Sequence, residues 1–356
     1  MKPFAPTLLI LSILLVSCAP AAAPQAPAPT FNAAELPNDY TEVQADYAAI
    51  EQLTLEQSAR VSELLAAGDL QAIYDHFDPA LQAQMSFKQL QNTVSDFTRV
   101  APLGEVLDTH FVSLRNQHFA ITVHRWAEHE AAVYTTFSQS GAVQSLAIKP
   151  IELDALDPAV YPASPVAFRL PFDGLVYTLW GGADELRNYH VTVPFQQFAC
   201  DFSAWVDGSV CRAGCSRNED YYAFGQPVLA PADGEVTEAV SDQPDGQPGS
   251  LLVQTDPGNY VILKVAEGEY LFMCHLLQNS VRVGVGDTVR AGDVIGQVGN
   301  SGRSSEPHLH IHLQDSPRFD VNGVTGLPLY FFGYQANGES MASGMPLGGQ
   351  FVQNGE

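Results

Sequence analysis

The stretch GNSGRSSEPHLHIHLQD, residues 299–315, sets three histidines at alternate positions behind a polar, glycine-bearing loop. Successive side chains of a strand point to opposite faces, so a strand here puts His308, His310 and His312 on one face and Leu309, Ile311 and Leu313 on the other. Three imidazoles on one face suggest a site. A half-buried strand whose wet side carries histidine gives the same alternation, so residues elsewhere in the chain have to decide.

Two further blocks bear on that choice. NYHVTVPFQQFACDFSAW, residues 188–205, carries His190 and Asp201, and YLFMCHLL, residues 270–277, carries His275. A hydrolytic zinc site takes three His or carboxylate ligands and keeps a fourth position open. His190, Asp201 and one histidine of the HxH would fill that set. The other HxH histidine and the one in CHL would remain as imidazoles suited to carrying protons near neutral pH. From Phe168 onward the chain reads as short strands separated by glycine-bearing turns, without a long amphipathic helix, so this region is predicted to be mostly β.

Between Phe168 and Tyr334 the sequence resembles the lysostaphin-type zinc endopeptidases, which cut peptide bonds in bacterial peptidoglycan. Beyond the histidines, the resemblance rests on FGQPVLAPADGEVTEAV, on VRVGVGDTVRAGDVIGQVGNSGRSSEPHLHIHL and on a closing GLPLYFFGY, in that order. VGVGDTVRAGDVIG alone also resembles lipoyl and biotinyl carriers, but no lysine sits at a carrier-like tip. The resemblance implies a barrel-sandwich-like fold of antiparallel sheets, Zn2+ as cofactor, metal ligands at His190, Asp201 and His310, and catalytic histidines at His275 and His308. His312 stands where the family often has another polar residue. The sequence departs from the family between His190 and Asp201, which lie eleven residues apart where four is usual; Gln197, Ala199 and Asp201 match a longer-spaced subset. The alternative implied by the same fold is a catalytically silent envelope protein that binds peptidoglycan or regulates another wall hydrolase.

The rest of the chain places this region. Residues 1–18, MKPFAPTLLILSILLVSC, read as an export signal whose LVSC end resembles a bacterial lipobox with Cys18 as the lipidated residue. An Ala/Pro-rich tether follows over 19–45, then a small α+β domain over 46–150, a proline-bearing linker over 151–167, the peptidase-like region over 168–334 and a tail over 335–356. In the α+β domain, Thr54 and Gln57 read as a capping box, Gly68 as a helix stop, Asp69 and Asp78–Pro79 as starts, and Ser86–Gln89 as a second box. An antiparallel meander then runs from Leu103 to Ile148. This domain resembles one of unknown function that precedes some cell-wall peptidases. Its histidines, His76, His110, His118, His124 and His129, show no repeated metal spacing and read as surface or hydrogen-bonded residues.

Forty acidic against 16 basic residues give a net charge of -24, which repels phosphate backbones and excludes nucleic acid as a partner. The expected partners are peptidoglycan and, through a lipid anchor at Cys18, a membrane; the chain is expected to be a monomer of the cell envelope. Ala19 after the cysteine favours the outer membrane where there is one. In an oxidising compartment Cys211 and Cys215 are expected to pair, tying down a rim loop after Asp201. Cys200 and Cys274 are expected to face away from the metal, buried or paired together.

Overall fold

The computed structural model describes residues 33–114, 117–138, 140–151, 155–212, 214–250, 257–319 and 323–355; the export signal, Cys18 and the first part of the tether lie outside them. No described helix is long and apolar enough to cross a membrane.

Helix α1 (Gln44–Ala67) begins well upstream of the expected box. Thr54 is buried in mid-helix, and its hydroxyl donates to the Ile50 carbonyl at 2.8 Å instead of capping. Val43 and Tyr47, buried at the first turn, supply the packing that carries the helix back to Gln44, a tertiary contribution that no local motif encodes. Gly68 ends α1 in the left-handed region, φ 70°, its N–H donating to the last carbonyls. The short helices α2 (Leu70–Asp75), α3 (Pro79–Gln84) and α4 (Phe87–Thr98) start at the predicted caps: Asp69, Asp78 and the reciprocal Ser86–Gln89 box. Strands β1 (Val106–Leu114), β2 (Gln117–Trp126), β3 (His129–Phe137) and β4 (Val143–Ile151) pair in sequence order as an antiparallel meander. The helices pack on it through Leu64, Leu65, Ile73 and Leu90 against Ala120, Ala131 and Val133. His124 is buried between the Ser62 hydroxyl and the Gly104 carbonyl, each at 3.1 Å. His110 differs from expectation: its Nε2 is enclosed without a hydrogen-bond partner.

The second part is nearly all antiparallel strand: β5 (Val176–Trp180), β6 (Cys200–Ser203), β7 (Pro227–Leu229), β8 (Gly234–Val240), β9 (Asn259–Ala266), β10 (Glu269–Leu276), β11 (Thr288–Val289), β12 (Val294–Gln297), β13 (Leu309–Gln314), β14 (Gly326–Leu327), β15 (Phe331–Ala336), β16 (Glu339–Gly344) and β17 (Phe351–Asn354). The main sheet runs β11-β8-β9-β10-β13-β6-β5-β17-β15-β16, with β14 on β13, while β7 and β12 form a separate pair. One face of the central strands packs into the main core with Cys200, Phe202, Leu309, Ile311 and Leu313. That is the apolar half of the alternation read from the sequence.

Residues 335–356, expected as a tail, are instead woven into this sheet. β17 pairs with both β5 and β15, and Phe351 is buried. There the two parts of the chain share a core: the Tyr47 ring meets Phe111, Tyr177, Trp205 and Phe351 at centroid distances of 5.3, 5.9, 5.8 and 4.9 Å, and its hydroxyl donates to the Gly349 carbonyl at 2.7 Å. Edge-to-face contacts of this kind add to the burial of the rings themselves.

Candidate metal centre

β13 lies between β10 and β6, and its register places Asp201 opposite His310 on one side and Cys274 opposite His310 on the other. Strand pairing therefore joins residues more than a hundred positions apart. His310 Nδ1 lies 2.9 Å from one Asp201 oxygen, and His190 Nε2 lies 3.5 Å from the other. One ligand atom from each of His190, Asp201 and His310 falls within 4.8 Å of the others, and all three residues are buried. The eleven-residue spacing is no obstacle, because the segment between His190 and Asp201 folds back through tight turns, with Val193, Gln196 and Ala199 N–H groups donating to His190, Val193 and Gln196 carbonyls.

Each histidine is oriented by what its far nitrogen meets. His190 Nδ1 donates at 2.8 Å to the side-chain oxygen of Asn188, whose amide nitrogen donates to the Gly182 and Ala199 carbonyls. Those two carbonyls can only accept, so the Asn188 oxygen must face the imidazole, and His190 Nε2 is left with a lone pair toward Asp201. Asn188 is fully buried and was missed in the sequence; its signal was an Asn two residues before the histidine, where a side-chain oxygen caps a turn. His275 Nδ1 donates to the Ser301 carbonyl at 2.8 Å and His308 Nδ1 to the Glu306 carbonyl at 2.7 Å. Both therefore present Nε2 lone pairs. The His275 ring lies 5.0 Å from that of His308 and 5.8 Å from that of His310.

His275 reaches this position through a bulge. The β9–β10 register slips between Cys274 and Leu276, and His275 has φ 63°. Bulges re-aim side chains, and a non-glycine residue in this region stores roughly 1–3 kcal/mol of strain that surrounding contacts must hold. The holding contact is the 299–304 loop, which Gly302 allows to press on the next loop: a Cβ on Gly302, φ 75°, would overlap the backbone of Pro257 and Gly258. The bulge also corrects an expectation. Cys274 sits opposite His310 and packs with Tyr260, Ile262 and Phe272 on the metal-side face, whereas Cys200 sits opposite Ile311 in the main core. The two are buried thiols on opposite faces, which cannot bridge. Cys211 and Cys215 are bonded, as expected. Their loop reaches the histidine loop through Asn218, whose side-chain oxygen accepts from the Asn300 amide at 2.9 Å.

His312 is neither exposed nor idle: it is buried, its Nδ1 lies 2.9 Å from His310 Nε2, and its Nε2 lies 3.0 Å from the Gln314 side-chain oxygen. Among the five candidate residues, His308 and His275 are the more open, 8% and 7% exposed against 1% for His190 and 2% for Asp201. The ligand set is thus the deeper and the proton-carrying pair lies nearer solvent.

The electrostatics keep Asp201 and His190 free of protons. Burial raises the Asp201 carboxyl, but His190, His308 and His310 around it outweigh burial and hold it below the usual carboxylate range. Burial, then the neighbouring imidazoles His310 and His308, push His190 down to about 3. Burial and adjacent imidazoles also hold His275 and His312 well below 6.5. A neutral-imidazole, ionised-carboxylate set is what a zinc ion requires, so the residues fit the metal. The same shifts predict acid sensitivity. The unfolded chain takes up a proton at His190 near pH 6.5 and the folded chain only near 3, so stability falls as pH drops through that window. For His190 the metal-free protein should lose about 2 kcal/mol between pH 7 and pH 5, with His275 and His312 adding in the same direction. Urea unfolding at the two pH values measures this, and equal stabilities would refute the neutral-histidine assignment.

The family model described as Peptidase family M23 matches residues 219–322. An uncharacterised metalloprotease of Haemophilus influenzae is 36% identical over 105 residues, 30% of this chain and 18% of that protein. The DD-carboxypeptidase/endopeptidase Mpg of Neisseria meningitidis is 40% identical over 92 residues, 26% of this chain and 18% of that protein. The chain thus spans less than a fifth of the length of these curated relatives. Among solved structures, the catalytic domain of lysostaphin from Staphylococcus simulans is 21% identical, covering 49% of this chain and 95% of that one, with a TM-score of 0.24. The family match contains His275, His308 and His310 but begins downstream of His190 and Asp201, which β13 pairing and the Asn188 turn bring to the same place. Residues 219–322 thus match peptidase family M23, and folding sets His190 and Asp201 beside the histidines of that matched region.

Proposed function

We propose that the chain is a zinc-dependent endopeptidase that hydrolyses peptide bonds in bacterial peptidoglycan. The observation that carries this reading is the pairing of the converging His190–Asp201–His310 donor set with two further imidazoles, His275 and His308, whose Nδ1–H groups are held by main-chain carbonyls so that Nε2 is turned toward it. A zinc ion held by the three donors supplies Lewis-acid polarisation of a peptide carbonyl and acidifies water. The protein's own part is proton handling and orientation. Either His275 or His308 would accept at Nε2 the proton lost by an attacking water and would pass that same proton to the departing amine as the C–N bond breaks. Because each Nδ1–H is engaged by a carbonyl, the ring cannot turn its accepting nitrogen away without losing that bond. The similarity to a DD-carboxypeptidase/endopeptidase and to a phage endolysin supports a wall substrate.

We place the chain in the cell envelope as a monomer, attached through lipidated Cys18. The test has two arms. Mass analysis of muropeptides after incubating peptidoglycan with the zinc-loaded chain should show newly cut stem or cross-link peptides; stoichiometric zinc without any cleavage would leave the silent reading in place of the enzymatic one. Cys18→Ser should move the chain from membrane to soluble fractions, and unchanged attachment would remove the lipid anchor.

A further inference from the structure

We infer that the N-terminal α+β domain is a structural part of the metal centre: the sheet face turned away from its helices grips the segment before His190 and so sets that ligand in place. The inference rests on the metal-holding reading of His190 and deepens it, making Leu186 and Val123 positioning residues. The β1–β4 meander buries residues on both of its faces. One face, with Ala120, Ala131 and Val133, packs on the helices. The other, with Ile121, Val123, Ala132 and Ile151, forms a second cluster whose remaining buried member is Leu186, which belongs to the segment between β5 and His190 and is 1% exposed.

The composition of that segment explains why it needs support from outside. Residues 181–190 read GGADELRNYH, in which Leu186 is the one aliphatic side chain larger than alanine. A loop so short and polar has no core of its own, so its leucine is buried in the neighbouring sheet. Polar ties run alongside. Lys149 of β4 lies 2.9 Å from the Glu185 carboxylate and 4.9 Å from the Tyr134 ring centroid, and Arg187 lies 3.6 Å from the Asp108 carboxylate of β1. Ion pairs as exposed as these contribute little, so the burial of Leu186 is the main hold.

From Leu186 the hold reaches the ligand in two steps. The Asn188 N–H donates to the Asp184 carbonyl at 2.9 Å and the Gly181 N–H to the Arg187 carbonyl at 3.1 Å, which closes the segment into a compact loop. Asn188, whose side-chain oxygen lies 2.8 Å from His190 Nδ1, belongs to that loop. Ties to the rest of the peptidase region hold its ends: the Asn188 amide on the Ala199 carbonyl and the Gly348 N–H on the Gly181 carbonyl. Between those ends, Glu185, Leu186 and Arg187 are tied to the N-terminal sheet. Mis-setting the residue that orients a ligating histidine weakens metal binding even when the ligand itself is intact.

The test uses point variants of the full chain. Val123→Ala and Val133→Ala remove the same atoms from opposite faces of one sheet, and both positions are buried. In the metal-free chain, amide hydrogen exchange at Gly181 and Asn188 is expected to quicken by about tenfold or more in Leu186→Ala and Val123→Ala, because the loop opens locally, and to stay at the wild-type rate in Val133→Ala. Zinc affinity, read by competition against a chromophoric chelator, is expected to fall about 10–100-fold in Leu186→Ala, the usual effect of losing an outer support of a ligating histidine. It should fall in the same direction in Val123→Ala and hold in Val133→Ala. Leu186→Met, which conserves volume, should restore both readouts. Equal effects of Val123→Ala and Val133→Ala would mark a general loss of stability and overturn the proposal, and this pair decides the matter should Leu186→Ala fail to fold. A folded Leu186→Ala chain with wild-type exchange and zinc affinity would overturn it too. Absence of zinc uptake by the wild-type chain would instead refute the metal reading of His190, and the exchange rates would still decide whether the N-terminal sheet holds the loop.

Discussion

Metal-stripped His310→Ala protein, titrated with zinc, is expected to lose specific uptake, with an affinity reduced well beyond the roughly 100-fold upper range for residues that only support a ligand. The reason is the geometry at β13. His310 Nδ1 sits 2.9 Å from Asp201 and its partner atoms converge within 4.8 Å, so removing the imidazole leaves two donors where a catalytic zinc takes three. The substitution also withdraws a partner from a buried carboxylate, so some loss of stability will accompany it. Folding must therefore be followed separately by circular dichroism. A folded His310→Ala protein that still binds one zinc with wild-type affinity would sink the ligand assignment, and the peptidase proposal with it.

The opposite combination is expected when the proton-carrying pair is removed. His308→Ala should retain one zinc yet lose about 10²–10⁴-fold in kcat/KM, the range that a positioned general acid–base contributes. At His275 the better substitution is asparagine, which tolerates the left-handed conformation at φ 63° that alanine resists, so that the imidazole is removed without forcing the bulge to rearrange. His275→Asn should fall within the same range of activity loss, again with zinc bound. Both measurements use a defined peptidoglycan peptide and the chelator assay. Wild-type turnover in either variant would take that residue out of the mechanism, and loss of zinc in either would turn it from a proton carrier into a ligand.

Features written over a few residues were legible without coordinates. The caps at Asp69, Asp78 and Ser86–Gln89 and the stop at Gly68 are contacts within one turn, and the alternation from His308 to Leu313 needs only the pleat of a strand. The peptidase resemblance belongs to the same class, because it was carried by contiguous motifs such as SEPHLHIHL. What depended on distant partners was not legible. The start of α1 at Gln44 is decided by the burial of Val43 and Tyr47 against Phe351, and the supposed tail is held in the sheet by β5 and β15. Cys274 turns to the metal-side face because register with β13 puts it there, and His275 joins that face because a bulge suspends the alternation. Asn188 is marked locally only as a turn cap and Gln314 by no motif; in each, two carbonyls bind the amide nitrogen and so fix which way the side-chain oxygen points. The sequence by itself determined which residues could make a zinc site and which strand would carry it. Only the tertiary structure decided which nitrogen of each histidine faces the centre, because a tautomer is set by the acceptors that folding brings to the far side of the ring.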